Sequence, residues 1–208
     1  MKETVMPLTL SEVAKSPSLL TFEITLPTGE DVIFRPLEPH DATLLAQFLE
    51  DLSPQTREFY TLDSYDIRTA KELCDAINRY DKLRFVVTDE SDEKIIALFE
   101  YSFDIPEGDT QRFLKYTITL DPHTDCRFGP CIADRLQNRG MGSALFPICI
   151  HIARQFGKER IILWGGVLRD NQRAIKFYEK HGFKILGTFN NKDNKITMDM
   201  IMSIRQKP

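Results

Sequence analysis

The sequence lacks the marks of several common protein classes. It has no Gly-Lys-Ser/Thr loop for a nucleoside triphosphate and no Gly-x-Gly-x-x-Gly turn for a dinucleotide. No apolar run approaches the length of a membrane span, and the first residues, Met1 to Thr4, are unlike a signal peptide. We therefore expect a cytoplasmic protein that does not associate with membranes.

Cysteine, histidine and net positive charge are also scarce. The four cysteines show no metal-ligand spacing, and the four histidines form no Ser–His–Asp or metal grouping. We therefore expect reduced, mostly buried thiols and no bound metal. The net charge of −4 argues against nucleic acid as the main partner and leaves cationic substrates open.

The residues that are present predict one domain over residues 1–208, in which residues 1–18 form a loosely held N-terminal arm. Apolar alternation predicts hairpins at residues 21–35, 83–103 and 183–204, and a further strand from Leu114 to Leu120. Helical spacing predicts helices over residues 39–52, 67–79, 143–156 and 171–180.

One short turn links an apolar strand, Phe128 to Ala133, to the third of these helices. A turn that opens a helix leaves several backbone N–H groups unpaired, and the helix dipole adds partial positive charge there. Such a turn binds anions, and phosphate above all. The turn consists of Gln137, Asn138, Arg139, Gly140, Met141, Gly142 and Ser143.

Two motifs in the last third of the chain occur together. The first is Gln-x-x-Gly-x-Gly at residues 137–142, and the second is Asn171-x-x-Ala174-x-x-Phe177-Tyr178-x-x-x-Gly182-Phe183. In this order and separation they resemble the GNAT superfamily of acyl-coenzyme-A-dependent N-acetyltransferases. The resemblance covers residues 31–204 as architecture, with the diagnostic motifs in a core of residues 127–189.

The resemblance implies an α/β fold with a mixed, mostly antiparallel sheet, a splayed parallel strand pair and helices on both faces. It implies acetyl-coenzyme A as co-substrate, with the pyrophosphate on the turn at residues 137–143. The pantetheine arm would pair with the backbone of Cys131, Ile132 and Ala133. Asn171 and Phe177 would contact the cofactor, and Tyr178 would protonate the leaving thiolate. Since the family has one strand fewer before the glycine turn, the strand predicted at Leu114 to Leu120 is expected to be an insertion.

The acceptor side is less clearly marked. Glu100 lies within an apolar strand pattern, where burial would favour its protonated form and make it a candidate general base. A solvent-facing glutamate is the alternative. The resemblance implies that the loop from Ser53 to Tyr65 forms one wall of the acceptor site. Family members often have proline at the position of Asp134, whose role the sequence leaves open.

These features predict transfer of an acetyl group from acetyl-coenzyme A to a primary amine by direct attack in a ternary complex. Two alternatives stay open at this point. One is a catalytically silent acyl-coenzyme-A sensor, and the other is an enzyme that modifies protein N-termini or lysines. The expected partners are a small amine or a peptide, with a homodimer left open and no nucleic acid or membrane.

Overall fold

The computed structural model describes residues 6–75 and 82–205, and one sheet runs through this part of the chain. Its strands are β1 (Phe22–Thr25), β2 (Asp31–Pro36), β3 (Lys82–Asp89), β4 (Ile95–Ser102), β5 (Asp125–Ile132), β6 (Arg160–Leu163), β7 (Val167–Leu168), β8 (Lys184–Asn190) and β9 (Ile196–Ser203). The helices are α1 (Leu10–Lys15), α2 (Ala42–Glu50), α3 (Pro54–Phe59), α4 (Ile67–Cys74), α5 (Glu107–Leu114), α6 (Met141–Gln155) and α7 (Gln172–Lys180).

The strand order is β1-β2-β3-β4-β5-β6-β9, with β7 continuing the line of β6 along one edge of β9 and β8 on its other edge. Among the described strands, β5 and β6 are the one parallel pair. Helices cover both faces: α6 and α7 pack on one, while α2, α4 and α5 pack on the other. The predicted fold class is confirmed.

The chain between β4 and β5 differs from the prediction. Residues 114–120 form no strand; α5 ends at Leu114, and a turn with Thr117 at a positive φ of 59° follows. Pro106 precedes the helix, and Glu107 and Asp109 lie in its first turn. Carboxylates there stabilise a helix, because they interact favourably with the positive end of its dipole. Phe113 and Leu120 are buried against Ile162 as helix and turn residues. The inserted element is therefore a helix, and the predicted extra strand is wrong.

The N-terminal segment is also more ordered than expected from residue 6 onward. Thr9 and Glu12 form a capping box at the start of α1, and Val13 is fully buried in the main core. The N–H of Leu8 donates to the carbonyl of Gln155 at 2.7 Å. The helix predicted over residues 67–79 is present as α4 up to Cys74, and residues 76–79 lie outside the described part of the chain.

A buried ion pair fixes the start of α2 to β2. Asp41 is fully buried and accepts from both terminal nitrogens of Arg35 at 2.7 and 2.8 Å and from the N–H of Glu38 at 2.8 Å. Burial alone would raise the pKa of Asp41, but these hydrogen bonds outweigh it, so its pKa lies below the usual value. Arg35 also contacts Asp92, whose side chain is partly exposed.

We predict that Asp41→Asn lowers the free energy of unfolding by about 3 kcal/mol, because it leaves Arg35 buried without its main counter-charge. The folded state binds the Asp41 proton less readily than the unfolded state. This stabilisation is therefore complete above about pH 3.9 and is lost as the pH falls through the lower folded pKa. Urea unfolding between pH 3 and 7 measures both effects. The control Asp92→Asn should cost less than about 1 kcal/mol; equal losses in the two variants would contradict the prediction.

Candidate active site

The parallel pair β5–β6 separates partway along its length. Pairing runs only from Asp125 with Arg160 to Phe128 with Leu163, and the N–H of Trp164 then donates to Phe128 O at 2.9 Å. Beyond this point the chain bends away at Gly166, which has a φ of +72°. A side chain there would lie 2.7 Å from the carbonyl oxygen of Met198, so only glycine fits. A gap therefore opens beside the second half of β5.

The register of β4 and β5 determines which groups face this gap. Ala133 N donates to Ile96 O at 2.9 Å, so odd-numbered residues of this part of β5 pair with β4. Pro130 and Ile132 then point their backbone groups into the gap. Proline has no N–H and fits a strand only where no partner needs one. Ile132 therefore contributes the one N–H donor on this stretch of the edge.

The glycine turn leads from this edge into α6. Asn138 and Gly140 have positive φ angles of 63° and 83°, and for Gly140 the absence of a Cβ makes this left-handed conformation accessible. The first paired N–H of α6 is that of Ala144, which donates to Gly140 O at 3.0 Å. The N–H groups of Met141, Gly142 and Ser143 precede it and have no carbonyl partner among the described residues. These three N–H groups at the start of α6 are therefore free, and the anion site stays a prediction.

The side chains of the two motifs interlock behind the turn. A Cβ on Gly142 would lie 3.2 Å from the Phe177 ring, so the second glycine permits close packing of α6 against α7. Phe177 also packs edge-on against Phe146, at 5.6 Å between ring centroids. Ser143 Oγ lies 3.1 Å from His181 Nε2. In the structure, then, the Phe177 ring packs against α6 and the Ser143 hydroxyl is paired with a histidine.

Two amide side chains of the motifs bind protein groups. Gln137 Nε2 donates to Ile132 O at 2.7 Å and to Thr56 Oγ1 at 3.2 Å, so this side chain turns back to the β5 edge. Asn171 is the N-cap of α7 and accepts from Ala174 N at 3.1 Å. The Asn171 amide NH₂ is not used by this cap and donates no hydrogen bond to the described residues.

Tyr178 lies almost wholly within the protein, with 7% of its surface exposed. Its ring packs against Phe177 and Phe183, at 5.3 and 5.1 Å between centroids. No described residue forms a hydrogen bond with its hydroxyl. Burial, followed by the nearby Cys149, raises the pKa of Tyr178 well above its usual value. The phenol is therefore protonated at neutral pH and available as a donor.

Glu100 is buried, with 6% of its surface exposed, and lies on the opposite side of the sheet from α6. One carboxylate oxygen accepts from Arg84 Nε at 2.6 Å, and the other accepts a short hydrogen bond from the Tyr60 hydroxyl. The sequence left open whether Glu100 is buried or faces solvent, and it did not predict the ion pair with Arg84. Both oxygens are already occupied once, so Glu100 is held in place by β3 and by the residue that follows α3.

The predicted acceptor wall contains a short helix, α3, rather than a simple loop. Asp134 fastens this helix to the glycine turn. It accepts from Ser53 N at 2.9 Å and from the hydroxyls of Ser53 and Thr56 at 2.6 Å each. Burial would raise the pKa of Asp134, but these hydrogen bonds outweigh it and lower the pKa. Asp134 is therefore a charged anchor, which the sequence did not predict.

The wall also reaches the last hairpin. Lys195, in the turn between β8 and β9, donates to Glu58 of α3 at 2.7 Å. This ion pair spans the space between α3 and the last hairpin. Both side chains are about half exposed, so the bridge is weak and solvent-screened.

Charges of both signs line the same side of the sheet next to the gap. The Arg127 guanidinium lies 4.5 Å from the Trp164 ring centroid and contacts Asp109 of α5 at 2.9 Å. Burial lowers the pKa of Arg127 more than Asp109 raises it, so the positive charge is incompletely compensated. Glu100 and Gly129 are directly paired across β4 and β5, which places a carboxylate beside the gap as well.

Other chemistries find no support among the described residues. All four cysteines are buried and free, and burial raises the pKa of Cys74, Cys126 and Cys149 to about 12 and that of Cys131 further. These thiols are protonated at neutral pH and are poor nucleophiles. In residues 6–75 and 82–205 no group of three or more metal-ligating side chains was found, and no helix there could span a membrane.

A splayed parallel pair with a glycine turn of free N–H groups at its edge agrees with the class of acyl-coenzyme-A-dependent acyltransferases that the sequence motifs indicated. A model of the acetyltransferase (GNAT) family matches residues 45–183, more than half of the chain. The chain therefore belongs to the acetyltransferase (GNAT) family.

Comparisons with individual proteins agree with this membership. An L-amino acid N-acetyltransferase of Escherichia coli is 36% identical over 85 residues, which are 39% of this chain and 51% of that protein. The match thus spans about half of the relative's length. Ribosomal-protein-S5-alanine acetyltransferase from Vibrio fischeri superposes with a TM-score of 0.67 at 17% identity, covering 90% of this chain and 99% of that chain. An aminoglycoside acetyltransferase in complex with coenzyme A and kanamycin gives a TM-score of 0.63 at 17% identity, covering 83% and 94%. At these identities the two structures establish the fold.

We predict that Asp134→Ala raises the KM for the acceptor several-fold more than the KM for acetyl-coenzyme A, because α3 loses three hydrogen bonds to its anchor. The free energy of unfolding should fall by about 1–3 kcal/mol. Steady-state kinetics with each substrate varied separately measures the split. The matched control Asp51→Ala removes an exposed carboxylate near the end of α2 and should change neither KM. A larger effect of Asp134→Ala on the cofactor KM would contradict the assignment.

Proposed function

We propose that this protein is an N-acetyltransferase that moves an acetyl group from acetyl-coenzyme A to a primary amine by direct attack. The observation that carries the proposal is the Ile132 N–H, which points into the gap at the end of an edge that leads to the anion-binding turn. A thioester lying along this edge would place its carbonyl oxygen against that donor. Such a preorganised donor stabilises the negative charge that develops during acyl transfer.

The pyrophosphate of the co-substrate would bind the free N–H groups of Met141, Gly142 and Ser143, with Arg139 adding a positive charge. The arm would then run past Ile132, whose carbonyl is already held by Gln137. Gln137 thus fixes the residue that carries the proposed oxyanion donor. The amide of Asn171 would bind the arm from the other side of the gap.

Each proton in the reaction has a proposed place. The neutral amine attacks the carbonyl carbon, a C–N bond forms, and the C–S bond breaks as the carbonyl re-forms. Tyr178 gives its hydroxyl proton to the departing thiolate, whose charge would form in the same buried surroundings that raise the pKa of the phenol. The amine proton passes to Glu100 through water, since each carboxylate oxygen keeps a second lone pair beside its bonds to Arg84 and Tyr60.

The acceptor that fits this site best is an amine that also carries a carboxylate, as an amino acid does. Arg127, with its incompletely compensated charge, would bind the carboxylate, while Glu100 lies where the amine must approach. The partial match to an L-amino acid N-acetyltransferase supports the same class. A peptide acceptor fits less well, because it would have to enter between α3 and the last hairpin and separate the ion pair of Glu58 and Lys195.

A thiol-release assay with acetyl-coenzyme A tests this function. We expect release of coenzyme A with amino acids, and weaker release with the matching amino acid amides, in which the carboxylate is uncharged. Polyamines, aminoglycosides and peptides complete the panel. Binding of acetyl-coenzyme A without thiol release from any amine would identify a silent sensor. Equal rates with acids and amides would overturn the carboxylate assignment and leave the transferase.

We predict that Tyr178→Phe lowers kcat by roughly one to three powers of ten, the range expected when general acid help is lost. Affinity for acetyl-coenzyme A should change little, because the hydrogen bond strengthens mainly as charge develops on sulfur. Single-turnover rates and calorimetry measure the two quantities. Tyr101→Phe is the matched control, since it removes a buried hydroxyl that binds Cys149 O away from the gap. An unchanged kcat in Tyr178→Phe would leave Tyr178 as a packing residue.

A further inference from the structure

A histidine outside the glycine motif faces the anion-binding turn. His181 ends α7, and its Nε2 lies 3.1 Å from the Oγ of Ser143, a residue of the first turn of α6. The ring is held between Phe146 and Phe177, with centroids 4.7 and 4.6 Å away. His181 therefore has a fixed position behind a residue whose own N–H group is free.

Among the described residues, the charged side chain that acts on His181 is that of Lys180, while the C-terminal end of α7, where the ring stands, carries a partial negative charge. From α6 it faces Ser143 and Phe146, which do not titrate, and the positive end of the helix dipole. From α7 it faces Phe177 and, as its charged neighbour, Lys180. Burial and then Lys180 hold the pKa of His181 below its usual value of about 6.5. An anion on the turn would supply the missing negative charge.

The protonation state of His181 also determines what the Ser143 hydroxyl can do. In the charged imidazolium both ring nitrogens donate, so Ser143 Oγ must accept from Nε2. The hydroxyl hydrogen is then free to point at an anion on the turn. When Nε2 is unprotonated, the same hydroxyl can donate to the ring instead and is lost to the anion.

We propose that His181 is a further phosphate-binding residue, acting through Ser143, and that binding of the coenzyme A pyrophosphate is coupled to uptake of a proton by His181. This inference rests on the proposed function, since it needs the pyrophosphate on the turn at residues 137–143. Because the anion favours the charged ring, the pKa of His181 is higher in the complex than in the free protein. Cofactor affinity therefore rises as the pH falls from the higher to the lower of these two pKa values. A bound pKa one unit higher gives at most about a tenfold gain.

The test uses 3′-dephospho-coenzyme A, which keeps the pyrophosphate but lacks the phosphate monoester that itself titrates near pH 6. Calorimetry of the full chain between pH 5.5 and 8.5 should show affinity rising up to about tenfold towards low pH. Titrations near pH 6.5 in two buffers of different ionisation enthalpy should show a fraction of a proton taken up. His181→Gln should flatten the pH profile and abolish the uptake. The control His151→Gln changes an exposed histidine on α6 and should retain both.

Two outcomes separate this inference from the function on which it rests. Pyrophosphate binding in the wild type that is independent of pH, with no proton uptake, would overturn the role of His181 and leave the transferase standing. Failure of acetyl-coenzyme A to bind at any pH would overturn the proposed function itself. If His181→Gln unfolds, an NMR titration of the wild type decides the question. It follows the imidazole pKa of His181 with and without 3′-dephospho-coenzyme A. An upward shift supports the proposal, and an unchanged or lowered pKa contradicts it.

Discussion

The early end of the β5–β6 pairing is the constraint on which the rest of the site depends. Two neighbouring parallel strands would ordinarily continue their ladder, because unpaired buried backbone groups are costly. Here Gly166 turns the chain away where a side chain would meet the Met198 carbonyl, and Pro130 removes the N–H that the lost ladder would have needed. The groups that face the gap are the N–H of Ile132 and the carbonyls of Pro130 and Ile132, and the Ile132 carbonyl already accepts from Gln137. The separation therefore leaves few groups for a ligand to satisfy.

The elements on either side of this gap are joined by a continuous chain of hydrogen bonds. Asp134 holds Ser53 and Thr56 of the α3 wall, Thr56 also contacts Gln137, and Gln137 holds Ile132 O. The wall proposed to shape the acceptor site is thereby tied to the residue proposed to polarise the thioester. Positioning of this kind can contribute about 7–11 kcal/mol to a bimolecular reaction, while general acid help contributes about 10²–10⁴-fold in rate. The geometry therefore matters more than any one titrating group.

The sequence predicted the sheet, the turn and α7 well because their patterns are local. Hydrophobic periodicity gave the strands, and the two glycines with their polar neighbours gave the turn before α6. Of the features that were missed, three depend on contacts between segments of the chain. The segment before β5 has the apolar spacing of a strand from residue 114 to 120. In the structure, however, Phe113 and Leu120 pack on Ile162 from a helix and a turn. The Asp134 anchor and the Glu100–Arg84 pair join residues far apart in sequence, which a pattern cannot show. Pro130 was an available signal for the gap, since a proline inside a buried strand needs an unpaired edge.

The electrostatics of the two sides of the gap differ in a way that suits the proposed transfer from an anionic co-substrate to a zwitterionic acceptor. On the α6 side the free N–H groups, Arg139 and Lys180 provide positive charge, and His181 would add another when it is protonated. On the other side, cations and carboxylates alternate: Arg84 with Glu100 and Arg127 with Asp109. A phosphate group gains from the first arrangement and a doubly charged amino acid from the second, because each meets its complement. Exchanging the two ligands between the sides would bring the phosphate beside Glu100 and Asp109, so the same charges that would favour binding would also favour one direction.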